Sequence, residues 1–429
     1  MYDLCLINPP SPGLVHPNAQ APLGLLYVAA AARAAGYRVC IHDAAACVDV
    51  LGAMMGMPRA PVYGITGYHT QVDVVNALAC ELKAAWPNCR VVVGGPVCLS
   101  ADELDDEAID ALFCGPGETA LPALMGGSQA VIDAPPIEDL DVLPFPARDL
   151  WPGSLGGPTF MRGKVYFPGG STGILASRGC PNACAFCANP KLTGCKRKVR
   201  NPALVVAEME LVVKTYGIRE FTFWDEYFNA DAAHVMALCE AIGASRILGS
   251  GATVAFRATV AAKPSIPRMW RAMWRAGCRE VSIGIESGDD DVLRAMHKRA
   301  TVADNTRAVR EAKAAGLNVR ALMMVGTPGQ TPKTLQRDIA WVCENREYLD
   351  LVAATVFVPM PGSAICEHPE RFGCTLRDLE DKSIASYRPD GLVRAEPHID
   401  IEGMDRDTLR RHMQVFLDFL DATEGLHRG

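Results

Sequence analysis

The sequence predicts an α/β protein with an N-terminal doubly wound (Rossmann-like) parallel sheet, then a partial (β/α)6 barrel, then a small C-terminal helical segment. Two series of short apolar, strand-like runs alternate with helix-like segments, and a stretch rich in proline and glycine separates the two series. Apolar strands that alternate with helices usually pair in parallel and are covered by those helices. Each series therefore predicts one parallel sheet.

The first series predicts a doubly wound sheet of five strands. Its strand-like runs are residues 4–8, 37–43, 62–66, 90–94 and 111–114, with helix-like segments at 23–35 and 74–86. Ligands of such sheets bind beyond the carboxyl ends of the strands. Asn8, Gly94 and Gly95 lie at those ends and are predicted to bind a ligand. His69 follows the third strand, and it is predicted either to touch the bound molecule as a candidate catalytic residue or to be an ordinary loop residue.

The second series predicts six strand–helix units, which is the pattern of a partial barrel. Its strand-like runs are residues 172–176, 220–224, 253–256, 280–285, 319–325 and 351–358. The functional side chains of barrels lie at the carboxyl ends of the strands. The candidates at these ends are Asp225, Glu226, Tyr227, Arg257, Glu286, Ser287, Gly326 and Pro328.

These patterns divide the chain into four parts. Residues 1–125 form the first domain, and residues 126–170, marked by Pro135-Pro136 and Leu143-Pro-Phe-Pro146, form an extended linker. Residues 171–365 form the barrel, and 366–429 form a C-terminal cap that ends in an amphipathic helix near residues 409–420.

Composition and charge narrow the function classes. Hydrophobic residues make up 49% of the chain and charged residues 21%, which is typical of a soluble globular protein. The net charge of -7 gives no basic footprint for nucleic acid. No apolar run reaches the length of a membrane span, and the N-terminus has no signal-peptide core, so we expect a cytoplasmic protein without membrane partners. Abundant Ala, Gly, Arg and Val suggest a high-GC bacterium and antibiotic biosynthesis or other secondary metabolism.

Three cysteines carry the strongest chemical signal. Cys180, Cys184 and Cys187 follow the spacing C-x3-C-x2-C. A structural zinc site usually needs four protein ligands, whereas three thiolates on one loop suit a 4Fe-4S cluster with one open iron. The alternative is a structural metal site or three unrelated thiols. Cys195 lies eight residues further on, and we predict a bystander because a fourth thiolate would close the open iron.

The cysteine motif, with Phe186 directly before the third cysteine, resembles that of the radical S-adenosylmethionine (SAM) superfamily. The resemblance implies that the open iron chelates SAM and that an electron from the cluster cleaves SAM to a 5'-deoxyadenosyl radical. It also implies a small-molecule substrate and an external electron donor of the flavodoxin or ferredoxin type. Phe186 is accordingly predicted to lie at the cofactor site.

The resemblance extends to the strand ends of the barrel and implies a SAM-binding role for several of them. Asp225 and Glu226 occupy the position at which the family contacts the amino group of SAM, and Arg257, at the end of the third strand, is predicted to pair with the SAM carboxylate. Glu286 and Ser287 occupy the position for the ribose hydroxyls or the methionine part.

Two further candidates follow from the same resemblance. Gly326 and Pro328, in the turn after the fifth strand, match the turn on the adenine side. Tyr227 is predicted either to donate a proton or hydrogen atom at the barrel mouth or to pack with its hydroxyl bonded.

The first half resembles the cobalamin-binding domain that precedes many radical SAM cores. The matching segments are Asn8-Pro-Pro10, Pro22-Leu-Gly24, Val93-Gly-Gly-Pro96 and Gly115-Pro-Gly-Glu118. The D-x-H-x-x-G loop that supplies a cobalt ligand elsewhere is absent, but many members of this subfamily lack it. Two alternatives stay open: the domain binds cobalamin, or it holds substrate or only packs on the barrel.

The function predicted from the sequence is radical abstraction of hydrogen from an unactivated carbon of a natural-product or sugar-type substrate. The leading reaction is cobalamin-assisted C-methylation. The alternative is cobalamin-independent dehydration of an aminosugar diol, as in the radical diol-dehydratase of apramycin biosynthesis. A non-catalytic iron–sulfur protein would not need Glu226 and Glu286, and a tRNA-modifying enzyme would show a basic face.

Overall fold

The chain divides into two compact units, Met1–Gly157 and Pro158–Gly429. The structure is a computed structural model, and the residues it describes are 1–11, 20–105, 107–119, 121–127, 130–156, 160–161, 164–165, 170–249, 254–376 and 399–423. Within those ranges we find no helix with the length and apolar character needed to cross a lipid bilayer.

The first unit contains a parallel sheet in the order β2-β1-β3-β4-β5-β6. Its strands are β1 (Leu4–Asn8), β2 (Val39–Asp43), β3 (Val62–Thr66), β4 (Arg90–Gly94), β5 (Ala111–Cys114) and β6 (Val131–Asp133), and its helices are α1 (Leu23–Ala34), α2 (Val50–Met54), α3 (Val72–Ala85) and α4 (Leu121–Met125). The predicted doubly wound sheet is confirmed. The order reverses between β1 and β3, so a crevice opens beyond their carboxyl ends.

The sheet differs from the prediction in its last strand. β6 pairs with β5 in parallel, so a segment predicted to be extended linker belongs to the first sheet. Only three residues long and followed by Pro135-Pro136, this strand is too short to produce a recognisable alternating pattern. The five-residue helix α2 was missed for the same reason.

The second unit is built on a six-stranded parallel sheet in the order β16-β15-β14-β13-β12-β9. In chain order its strands are β7 (Phe160–Met161), β8 (Lys164–Val165), β9 (Ser171–Ile174), β10 (Ser177–Arg178), β11 (Lys198–Val199), β12 (Glu220–Phe223), β13 (Ala255–Ala261), β14 (Cys278–Glu286), β15 (Asn318–Val325), β16 (Leu351–Val356), β17 (Cys374–Leu376) and β18 (Ile399–Ile401). Its helices are α5 (Asn189–Thr193), α6 (Pro202–Tyr216), α7 (Ala232–Ala244), α8 (Pro267–Arg275), α9 (Asp290–Ala295), α10 (Val302–Ala314), α11 (Pro332–Glu344), α12 (Ala364–Glu367) and α13 (Arg406–Ala422). The predicted barrel and the predicted C-terminal amphipathic helix are confirmed.

The two faces of the barrel sheet differ in burial. Along β15 the residues Val319, Ala321, Met323 and Val325 are buried, whereas the residues between them are half-buried. β16 shows the same alternation. Since successive side chains of a strand point to opposite faces and crossover helices cover one face of a parallel sheet, the buried face lies under the helices. The half-buried face is the concave, open face of the barrel, which we call the concave face.

One predicted strand end is wrong. The third barrel strand was predicted to end before Arg257, but β13 continues to Ala261, so Arg257 is its third residue. Residue 253, at which that strand was predicted to begin, lies outside the described residues. Arg257 therefore lies in the first half of its strand and away from the carboxyl end.

Candidate active site

The three cysteines lie on a loop whose base is closed by a short ribbon. β10 and β11 pair in antiparallel fashion, with Ser177 opposite Val199 and Arg178 opposite Lys198. At the start of the loop Gly179 has φ of +86°, and a Cβ atom there would lie 1.9 Å from the carbonyl oxygen of Lys196. The two ends of the loop are thus so close that only glycine fits at this position.

Two carboxylates brace the base of this loop. Asp225 is buried and accepts hydrogen bonds from the Ala176 N–H (3.0 Å) and the Ser177 hydroxyl (2.5 Å). Glu226 accepts from the N–H of Gly179 at 2.9 Å. Burial raises the pKa of Asp225 to about 6. The residues predicted to meet the SAM amino group therefore hold the cysteine loop, and contact with SAM stays a prediction for the exposed Glu226.

The donor chemistry of the loop fits an iron–sulfur cluster. Burial raises the pKa of the Cys180, Cys184 and Cys187 thiols, that of Cys184 to about 11. The positive charge of Lys298 opposes this rise at all three thiols. Since thiols bind iron as thiolates, a nearby cation favours the bound form. No three His, Cys, Asp or Glu side chains of the described ranges are placed to hold one metal ion, so the fit rests on this donor set.

Lys298 was missed by the sequence analysis, and it connects the cysteines to Glu286. Its Nζ lies 2.7 Å from Oε1 of Glu286, and the two side chains are only 10% and 11% exposed. Nζ also lies 5.9 Å from the centre of the Phe186 ring, within cation–π range. Burial lowers the pKa of Lys298, but Glu286 and the Cys184 and Cys180 thiols raise it by more. The net effect is a raised pKa, so the amine stays charged.

The backbone at Glu286 is held in an unusual conformation. Glu286 is the last residue of β14, its φ is +65°, and the pairing with β15 shifts register between Gly284 and Glu286. A Cβ atom on Gly284 would lie 2.7 Å from Oε1 of Glu286 and 3.0 Å from Nζ of Lys298. A non-glycine residue in this region is strained, and such strain is most often found at functional sites. Gly284 leaves the space in which the ion pair sits.

Ser287 belongs to a buried hydrogen-bond network and does not face the open site. Its hydroxyl donates to Oδ1 of buried Asp338 at 2.7 Å. The second oxygen of Asp338 accepts from Gln330 at 3.0 Å, and Gln330 accepts from the Gly326 N–H at 2.5 Å. Burial raises the pKa of Asp338 to about 6. Ser287 and Gly326 therefore fix the turns after β14 and β15, and Ser287 has no hydroxyl proton left for SAM. Pro328 lines a surface cavity of about 640 Å³ beside these turns.

Tyr227 and Arg257 are each bonded inside the barrel. The Tyr227 hydroxyl donates to the backbone carbonyl of Lys263, and burial raises the pKa of Tyr227 to about 12. This matches the packing alternative, and a catalytic role for Tyr227 stays a prediction. Nε of Arg257 donates to Oγ1 of Thr222 at 2.9 Å. Because Arg257 lies in the first half of its strand, pairing with the SAM carboxylate is no longer the role we assign to it.

The strand ends of the first unit present small and polar groups. The Asn8 amide donates to Asp43 at 2.8 Å and joins the ends of β1 and β2. Gly95, after β4, has φ of +87°, and a Cβ there would lie 2.8 Å from Oγ1 of Thr66. Gly94 is the last residue of β4, and the Tyr68 ring after β3 is 61% exposed. Glycines and one exposed ring at a topological switch point fit a large, flat cofactor such as cobalamin.

His69 belongs to the same edge. It opens a short helical turn, His69–Gln71, directly after β3, and it is half-buried. Gln71 of this turn donates to the carbonyl of Pro10 at 3.0 Å and so ties the turn to the end of β1. A catalytic role for His69 stays a prediction.

Two family models match the chain. The model of the radical SAM superfamily matches residues 174–342, and the model of the B12 binding domain matches residues 15–125. The first family implies a 4Fe-4S cluster and SAM, and the second implies cobalamin.

Individual proteins are similar over most of the chain. An uncharacterized methyltransferase of Pyrococcus horikoshii is 26% identical over 81% of this chain and 78% of its own length. The hopanoid C-3 methylase of Methylococcus capsulatus is 26% identical over 83% of this chain and 70% of its own. Among solved structures, the radical SAM methyltransferase TsrM of Kitasatospora setae, with cobalamin and a 4Fe-4S cluster bound, aligns with a TM-score of 0.69 and 19% identity over 96% of this chain and 85% of its own. At that identity the alignment shows a shared fold.

Proposed function

We propose that this chain, which belongs to the radical SAM superfamily and carries an N-terminal cobalamin-binding domain, methylates an unactivated carbon of a small molecule. The observation that carries the proposal is the presence on one chain of the three-cysteine loop and of a B12-binding sheet. The loop suits the cluster that radical chemistry requires, and a corrinoid can carry a methyl group. Its cofactors are therefore a 4Fe-4S cluster, SAM and cobalamin, and the enzyme needs an electron donor.

The chain's own residues prepare the site. Cys180, Cys184 and Cys187 would hold the cluster, which supplies the electron that cleaves SAM, while cobalamin supplies the methyl group. Asp225 and Glu226 fix the base of the cysteine loop, so the three thiols keep their spacing. Lys298 offsets the negative charge of the thiolates and holds Glu286 at the end of β14.

We propose that Glu286 also receives SAM. A carboxylate that sits at a strand end, next to the cysteine loop, is placed to accept hydrogen bonds from ribose hydroxyls or an ammonium group. The positive φ of Glu286 aims its side chain over Gly284, toward Lys298. Since Oε1 is engaged by Lys298, SAM would bind the second oxygen of Glu286.

Methylation is favoured over dehydration by the first domain. Dehydration of a diol by the radical alone does not use a corrinoid. The B12-binding match and the similarity to a methyltransferase and to a methylase support methyl transfer. A small substrate is favoured over tRNA because the net charge is -7.

The test is anaerobic reconstitution with iron, sulfide, hydroxocobalamin, SAM and a low-potential reductant. We expect about one corrin per chain to remain bound through gel filtration, as for one crevice of this kind. S-adenosylhomocysteine should form only when cobalamin is present, and 5'-deoxyadenosine should form with or without it. If no corrin is retained and 5'-deoxyadenosine is the sole product, methylation is wrong and the dehydratase becomes the leading alternative.

A further inference from the structure

We propose that the concave face of the barrel binds the substrate through an anionic group, a carboxylate or a phosphate, which Arg320 recognises. The inference rests on the proposed function, because it names the substrate class of the same site. Arg320 is the residue that touches the anion, and Arg257 lies behind it.

The register of four neighbouring strands brings polar residues together on this face. In the strand register, Thr222 of β12 lies opposite Arg257 of β13, and Arg257 lies opposite Glu280 of β14. We call these three residues the lower row. Two residues further along the strands, Thr259 pairs with Ser282, and Ser282 pairs with Arg320 of β15. We call this second set the upper row. Because residues two apart share a face, both rows line the concave face.

The upper row is accessible to a ligand. Thr259 is exposed, and Ser282 and Arg320 are half-buried, whereas their strand neighbours Val260, Ile283 and Ala321 are buried under the helices. The upper row offers two hydroxyls and one guanidinium in a line across three strands. A line of hydrogen-bond donors suits an oxyanion more than it suits a sterol or a tetrapyrrole ring.

The two guanidiniums differ in their partners, and among the described residues no carboxylate forms an ion pair with Arg320. The positive charge of Arg257 is attracted by the carboxylates of Glu280 and Glu220, and its Nε–H donates a hydrogen bond to Thr222. Arg320 lies near enough to Arg257 to repel it. In the part of the chain that the structure describes, Nε of Arg320 is buried and has no hydrogen-bond partner. A buried donor without an acceptor is unfavourable, so a ligand oxyanion that accepts from it is favoured.

The upper row lies directly below the candidate SAM site. Gly284 follows Ser282 by two residues on the same face, which is a rise of about 7 Å along the strand. The space above Gly284 holds the Glu286–Lys298 pair. A small molecule anchored at Arg320 would therefore extend from the upper row toward the cysteine loop. This places a substrate carbon near the site at which SAM is cleaved.

The experiment is a calorimetric titration of the reconstituted holoenzyme with inorganic phosphate and, separately, with acetate at constant ionic strength. We expect at least one of these anions to bind the wild type, and the anion that binds identifies the group as phosphate or carboxylate. Arg320→Gln should weaken that binding roughly 10- to 100-fold, the range for one charged hydrogen bond. Arg320→Lys should restore part of it, because the charge returns.

A matched control removes a positive charge elsewhere in the same unit. Arg294 is exposed on α9 and forms an ion pair with exposed Asp291, away from the concave face, so Arg294→Gln should bind the anion as the wild type does. Iron content and retention of cobalamin through gel filtration should be unchanged in all three variants, which separates this inference from the proposed function. The inference is overturned if the wild type binds neither anion, or if Arg320→Gln binds as tightly as the wild type.

Discussion

Four cysteines share the loop between β10 and β11, and at the scale of single residues we expect them to differ in function. Replacing Cys180, Cys184 or Cys187 with Ala should remove the cluster, because three thiolates are the least that hold it. Cys195→Ala is the matched control. The Cys195 thiol contacts the carbonyl of Asn182 at 3.8 Å, so its loss should leave about four irons per chain. Iron and sulfide analysis after anaerobic reconstitution distinguishes the two classes.

Lys298 is expected to tune the cluster as well as the SAM site. Lys298→Met removes the positive charge that stabilises added negative charge, so the reduction potential should fall by roughly tens of millivolts. It also leaves the Glu286 carboxylate buried without its cation, which should cost about 3–5 kcal/mol. A redox titration followed by electron paramagnetic resonance measures the potential. Lys298→Arg keeps the charge and is the control, and an unchanged potential in Lys298→Met would refute the role.

Asp338 gives the chain a predictable pH dependence of stability. Its folded pKa of about 6 lies above that of an unfolded aspartate, since burial opposes ionisation. The protonated form therefore stabilises the fold fully below about pH 4, and this contribution is lost as the pH rises through about 6. Relative to Asp338→Asn, the free energy of unfolding should fall by roughly 3 kcal/mol across that range. Denaturant unfolding at several pH values tests this, and parallel curves for both proteins would contradict it.

At the scale of elements, the ribbon at the base of the cysteine loop depends on one glycine. Gly179→Ala would place a methyl group 1.9 Å from the Lys196 carbonyl oxygen, so β10 and β11 must separate and cluster binding should be lost. Gly194, in the same loop, also has positive φ, but a Cβ there meets nothing within 4 Å. Gly194→Ala should cost only about 1–2 kcal/mol of backbone strain and keep the iron. Equal iron content in the two variants would show that the ribbon does not position the thiols.

At the scale of the whole molecule, the two cofactor sites belong to separate units. The cysteine loop, Glu286 and Lys298 all lie in Pro158–Gly429, and the B12-binding match lies within Met1–Gly157. We therefore expect a variant with all three cluster cysteines replaced by Ala to retain about one cobalamin per chain. Gel filtration followed by the corrin absorbance measures this. Loss of the corrin together with the cluster would show that cobalamin binding depends on the second unit.

The sequence by itself determined the features that depend on residues close together in the chain. The spacing of Cys180, Cys184 and Cys187 predicted the cluster loop, and the alternation of apolar runs with helices predicted both parallel sheets. These signals are local. The three thiols come from one short loop, and the burial of a strand is visible in the apolar character of consecutive residues. β6 was missed because three residues are too few for a local pattern, and the true end of β13 was missed because it depends on pairing with β14.

Only the tertiary structure decided which polar residues face the open site. Glu286 and Lys298 become partners because a bulge ends β14, and no local pattern marks that lysine. Asp225 and Ser287 stand at strand ends as the sequence predicted, yet both are buried and bonded inside the protein. A buried polar group must find a partner, and that partner comes from a distant part of the chain. The register of the whole sheet therefore determines which strand-end residues support the site from inside and which are open to its ligands.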